Sequence, residues 1–155
     1  MLPHFLRRAA PALVLVTALS LTGCAPPVTV PTAPEATDPL CAEVLVRLPT
    51  NVEEQAQRVT DSQATAAWGS PAAILLRCGV TSDGPAILPC VTVDGIDWLR
   101  DETRAPDFVY TTFGRSPAVE VIVDGTRVTP AALTELAPAI AVVPATRACT
   151  ASPTG

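Results

Sequence analysis

The side chains able to do chemistry are few, and their types exclude more than they suggest. Ten arginines, no lysine and one histidine, His4, make up the basic residues of the 155-residue chain. His4 lies in a segment with the features of a removed leader, so the mature chain is expected to hold neither histidine nor lysine. Nucleophilic catalysis that needs either as a base is then excluded, and no G-x-S-x-G elbow occurs. Carboxylates remain. Asp94, Asp97, Asp101 and Glu102 flank Trp98. Paired carboxylates beside an aromatic platform are a sugar-cleaving arrangement, which makes a wall-glycan hydrolase one reading. Oxygen ligation of calcium is another, although the run lacks the spacing of a dedicated loop. The plainer reading is a solvated turn and strand end.

Two arginines stand out. Arg77 sits inside an apolar run, and Arg115 follows Phe113-Gly114, where a glycine lets backbone or ligand approach closely. Arginine presents a planar fork to carboxylate or phosphate. Arg77 and Arg115, with Asp97, Trp98 and Tyr110, are therefore the candidate contact residues for a small anion or a peptide carboxylate. The alternative use of the arginines is internal ion pairing, for example with Asp97. Trp68 and Trp98 are either stacking platforms or core residues, and large burial favours the core.

Residues 1–23 read as an export signal. Arg7 and Arg8 precede an apolar stretch from Ala9 to Leu19, too short to span a bilayer comfortably. Leu21-Thr22-Gly23-Cys24 resembles the lipobox of bacterial lipoproteins, which implies a diacylglyceryl group on Cys24 and cleavage before it. Two acyl chains anchor a protein stably. The expected location is the extracytoplasmic face of the bacterial cell membrane. Losing Arg7 and Arg8 leaves eight arginines against 15 acids, a charge of −7. Such a balance offers no face for nucleic acid. Residues 24–38, rich in proline and threonine, predict a semi-extended tether with roughly 40 Å of reach.

The domain is expected over 39–149, with a tail at 150–155. Asp38-Pro39 reads as an N-cap and first helical position, and Leu40, Val44, Leu45 and Leu48 share a face before Pro49. Residues 50–67 read as a short amphipathic segment or a loop. From Ala72 the period is two. Ile74, Leu76, Cys78 and Val80 face one way, Leu75 and Arg77 the other. Further strands are expected at Val91–Val93, Ile96–Leu99, Phe108–Phe113 and Val119–Val123. Asp124-Gly125 is a hairpin signal that would let Thr126–Val128 pair back. Thr129-Pro130 opens a helix, Pro138 ends it, and Ala139–Val143 reads as a last strand. The expected fold is α+β: a small antiparallel sheet with short helices packed on one face.

Five cysteines minus Cys24 leave Cys41, Cys78, Cys90 and Cys149. An even number in an exported chain predicts two disulfides, with three pairings open. Cys78 with Cys90 would close a short turn-rich loop, and Cys41 with Cys149 would clasp the ends of the domain. This pairing is the expected one. The spacings do not suit a metal site.

Trp68-Gly69-Ser70-Pro71, Leu76-Arg77-Cys78-Gly79-Val80, Gly95-Ile96-Asp97-Trp98 and Thr111-Thr112-Phe113-Gly114-Arg115 occur in an order that resembles an actinobacterial family of exported proteins and lipoproteins, domain of unknown function 3515. The resemblance covers roughly Leu40 to Cys149. It implies envelope localisation and one exported domain, and carries no activity, cofactor or partner. It also implies a chain that runs from Asp124 directly to the last helix, at odds with the hairpin signal there. The expected function is a noncatalytic, membrane-anchored module that binds an envelope protein or helps assembly, without a cofactor. The small-anion binder and the glycan hydrolase are its alternatives.

Overall fold

The computed structural model describes residues 25–81 and 88–149. The expected leader, Cys24 and the expected tail at 150–155 lie outside the described residues. The strands are β1 (Asn51–Val52), β2 (Gln55–Arg58), β3 (Thr65–Trp68), β4 (Ile74–Val80), β5 (Cys90–Val93), β6 (Ile96–Asp101), β7 (Asp107–Thr112) and β8 (Ala118–Asp124); the helices are α1 (Pro39–Leu45) and α2 (Ala132–Ile140). The fold is mostly β with a small helical part. All eight strands form one antiparallel sheet, ordered β1-β2-β3-β4-β8-β7-β6-β5. Two four-strand meanders, one from each half of the chain, meet at the β4–β8 seam.

The sheet is larger than its sequence suggested, because 50–67 supplies three strands rather than a helical turn or loop. It is also curled. Helix α2 contacts both β1 and β5, the two edge strands. A flat sheet of eight strands would be about 34 Å wide, against a helix about 10 Å across. The edges reach α2 only because the strands wrap around it. Ile74, Leu76 and Cys78 of β4, Val119, Val121 and Val123 of β8, Trp68, Ile96, Trp98 and Tyr110 point into this concave interior, with Leu133, Leu136 and Ile140 of α2 and Val44 of α1. Leu75 and Arg77 face outward, as the period of two requires.

Helix α1 begins as expected: Asp38 accepts the Leu40 backbone N–H at 2.8 Å, with Pro39 at its first position. Three expectations downstream need correction. Thr126–Val128 does not pair back. The Asp124 carboxylate accepts the Thr126 amide at 3.0 Å, and the Asp124 carbonyl accepts the amides of Arg127 and Val128. The chain thus turns inward and runs directly to α2. Pro138 lies inside α2 rather than ending it. It occupies the exposed side, where its missing N–H leaves a carbonyl facing water. Ala139 and Ile140 accordingly extend the helix and form no strand.

The disulfides join Cys41 to Cys78 and Cys90 to Cys149, with Cα separations of 5.5 and 5.9 Å. This corrects the pairing. Cys78 faces the interior beneath α1, so Cys41 is its neighbour. Cys90 lies on the outer face of β5, where the C-terminal segment passes.

The expected tether also differs. Val28 forms a parallel bridge with Thr60, and Val30, Ala33 and Ala36 are buried. Residues 28–36 are a strap lying on the convex face of the sheet, where Ala33 packs on Val80 and Ala118.

Candidate functional site

The residues singled out for a pocket fall in three places. Trp98 and Tyr110 are buried in the interior, edge to face with ring centroids 6.4 Å apart. They are core residues and form no contact surface; period-two alternation puts both on the helix-covered side of the sheet. Arg77 lies on the convex face, where the β4–β8 register sets it opposite Glu120. Its Nε donates to Oε1 at 2.7 Å and its Nη2 to Oε2 at 3.2 Å. The bidentate pair is the internal ion pairing anticipated, with Glu120 as partner rather than Asp97. Arg115 is only 8% exposed and donates to the Val143 carbonyl. Burial pulls its guanidinium below the ordinary arginine value, and the Asp97 charge opposes that shift.

The carboxylates have separate local tasks. Asp97 accepts the Thr92 hydroxyl at 2.5 Å and the Cys149 amide at 2.7 Å. Asp101 accepts the Thr103 amide at 2.8 Å. That amide, the Thr103 hydroxyl and the Arg104 charge hold Asp101 below the usual carboxylate range. Asp97 and Asp101 are four residues apart on β6, about 13 Å along a strand, beyond the roughly 5–9.5 Å that separates working carboxylate pairs. Glu102 pairs with Arg100, and Asp94 occupies a tight turn with φ +48°. Among the described residues, no group of three His, Cys, Asp or Glu side chains could hold a metal ion.

The glycines of the motif series make room for backbone. Gly79 has φ +95°, and a Cβ there would collide with Glu35 and Ala36 of the strap; the Gly79 carbonyl accepts the Glu35 amide at 2.8 Å. Gly114 has φ +68°, and a Cβ there would collide with the backbone of Arg147. The close approach anticipated at Gly114 is thus made by the chain's own C-terminal segment. Trp68 donates from its indole nitrogen to the Pro49 carbonyl at 3.0 Å, tying α1's exit to β3.

A cleft of about 380 Å³ opens on the convex face between the strap and the β6–β7 turn. Leu75, Ile122 and Val109, in register across β4, β8 and β7, form its apolar floor. The Arg77–Glu120 pair stands beside them. Val30 and Pro31 form the strap wall, and Asp101 and Arg104 the opposite one. Among the described residues Arg104 makes no ion pair. Of the candidate contact residues only Arg77 lines this cleft. Its floor was signalled by apolar residues on the outward side of strands whose inward side is also apolar.

No curated protein and no solved structure matches the chain. A family model, Protein of unknown function (DUF3515), matches residues 9–148. That match takes in the apolar N-terminal stretch, the strap, the sheet and both helices, and the chain belongs to the DUF3515 family.

Proposed function

We propose that the chain is a noncatalytic, lipid-anchored protein of the outer face of the cell membrane, and that its convex cleft binds a segment of a partner protein. The cleft is the observation that carries this reading. It offers an aliphatic floor of Leu75, Val109 and Ile122 beside Arg104, an arginine with no ion-pair partner among the described residues. A segment presenting an aliphatic side chain next to a carboxylate complements it. Support for the anchor comes from the Leu21-Thr22-Gly23-Cys24 box and from the Arg7-Arg8 pair and apolar stretch that precede it. A small free carboxylate is the second reading, favoured by the same Arg104. It replaces the pocket expected between Arg77 and Arg115, both of which are engaged internally.

A photo-reactive benzoylphenylalanine in place of Thr103, at the cleft rim, tests the reading in the native envelope. One recurrent protein adduct is expected from this position and none from the same probe in place of Thr134 on the exposed side of α2. The adduct should be lost in the Leu75→Glu background. Equal capture from both positions, or none from Thr103, would overturn protein binding at the cleft. Loss of thermal stabilisation by short peptide carboxylates in Arg104→Gln would then support the second reading.

A further inference from the structure

We propose that the β2–β3 end of the domain lies directly against the lipid bilayer, with Val59 and Val46 as apolar contacts. The inference rests on acylation of Cys24, the anchor proposed above. Its first ground is the length of free chain. Arg58 Nη2 donates to the Pro26 carbonyl at 3.1 Å, the Val28 amide donates to the Val59 carbonyl at 2.8 Å, and the Asp61 amide donates to the Val28 carbonyl at 3.2 Å. The chain is therefore fixed to the domain from Pro26 onward. Even fully extended, the four residue steps from Cys24 to Val28 span about 14 Å. A thioether-linked lipid at Cys24 leaves no room for the domain to stand off by the roughly 40 Å of a free tether.

The second ground is independent. Two large apolar side chains are strongly exposed among the described residues, Val46 at 78% and Val59 at 72%. Val59 immediately follows β2 and its backbone carries the bond to Val28. Val46, at the end of α1, borders the same β2–β3 loop, sharing a shallow depression with Gln63 and Ala64. Val59 thus stands where the acylated terminus leaves the domain, and Val46 stands beside Gln63 and Ala64 at the far end of the same loop. Isolated surface valines need no explanation, but two along the loop that holds a lipid attachment point fit an apolar contact with the interface. The strand registers put the β6–β7 turn at the opposite ends of the strands from the β2–β3 loop. It would face outward, accessible to a partner.

The test uses the full chain, produced in cells that acylate it and reconstituted in phosphatidylcholine vesicles containing brominated acyl chains. Bromine quenches an indole only near the bilayer. Mass spectrometry of the N-terminal peptide first establishes whether Cys24 carries diacylglycerol. With V59W, the fluorescence added over the wild-type background of Trp68 and Trp98 should fall at least two-fold. With T103W, it should fall by less than a tenth. Inserting twelve Gly/Ser residues after Cys24 should reverse most of the V59W quenching. Equal quenching of the two indoles, or no quenching of V59W, in protein with an acylated Cys24 would overturn the orientation and leave the anchor intact. An unmodified Cys24 would instead remove the anchor, and the orientation with it. Melting curves matching wild type establish that both variants are folded.

Discussion

Both ends of the domain finish as straps on the convex face of the sheet, and they are held by different physics. The N-terminal strap, residues 28–36, buries Val30, Ala33 and Ala36. The disulfide that follows it, Cys41–Cys78, is wholly inside the core. The C-terminal strap, residues 144–149, is largely exposed. Its grip is polar: the Thr146 amide donates to the Gly114 carbonyl at 2.7 Å, the Cys149 amide donates to Asp97, and the Arg147 guanidinium lies 5.0 Å from the Phe113 ring centroid. Cys90, its covalent partner's anchor point, is exposed. Apolar burial makes a strap part of the cooperative core, whereas exposed hydrogen bonds open locally at little cost. The first strap should therefore come off only with global unfolding, and the second should fray once its disulfide is cut.

The largest expected effect is on the disulfides. In the loop-entropy model each contributes about 4 kcal/mol, with the 59-residue separation of Cys90–Cys149 slightly ahead of the 37 of Cys41–Cys78. Burial should reverse that order. Replacing Cys41 and Cys78 by alanine also leaves a core defect of about 1–2 kcal/mol, so this pair should lower stability in urea more than Cys90 and Cys149. The opposite ranking would mean that loop length governs and that the contrast between the straps is not energetic.

Next come the two glycines. Gly79→Ala must adopt φ +95° and displace a buried strap, at about 2–4 kcal/mol. Gly114→Ala meets an exposed strap that can move aside, at about 1–2 kcal/mol. Thermal melts of the two variants give the ranking. Equal losses would show that the C-terminal strap is as firmly packed as the first.

A pH effect follows from Asp61, which accepts the Val30 amide at 3.1 Å. The Thr29 hydroxyl, and then the Val30 amide, hold its carboxyl below the usual carboxylate range. A lowered folded value means that the stabilisation is complete above the ordinary carboxylate value and is lost as pH falls through the lowered one. Protection of the Val30 amide, corrected for intrinsic exchange, should decline over that acid window and be weak at every pH in Asp61→Asn. A flat profile in the native protein would show that apolar burial alone holds the strap. The smallest effect is expected of Arg147→Ala, about 0.5–1 kcal/mol through its contact with Phe113. A double-mutant cycle with Phe113→Leu would isolate it.

The second meander was readable because its strands alternate. Val119, Val121 and Val123 face in while Glu120 and Ile122 face out, and the Asp94-Gly95 turn carries the usual hairpin residues. Of the first meander only β4 was. Gln55–Arg58 has no large apolar side chain, and Thr65–Trp68 is buried on both faces, so neither shows a period of two. The β1–β2 hairpin turns at Glu53-Glu54, with φ +44° and +63°, where glycine or asparagine is usual. Tertiary contacts hold that turn: the Glu53 carboxylate accepts the Thr129 amide at 2.6 Å, and the Glu53 amide donates to Glu135 at 3.2 Å. No local signal announces such bonds across 76 and 82 residues. The cleft was hidden for a related reason. Its walls come from the strap, β4, β7, β8 and the β6–β7 turn, and the strap, composed like a linker, gave no sign that it would fold back. For Arg77 the ion pairing was anticipated but not the partner, because Glu120 lies 43 residues away.

The disulfide connectivity has a consequence for how the chain matures. Cys41, in α1, and Cys78, in β4, both belong to the first half of the domain, Cys90 and Cys149 both to the second half. Of the four domain cysteines, the first to emerge from a ribosome or a translocon are each other's native partners, and so are the last two. An oxidase that simply joins cysteines in order of appearance makes the correct bonds, with no need for an isomerase to reshuffle them. Each half can be sealed covalently by itself, and the β4–β8 seam closes afterwards between two pieces already stapled.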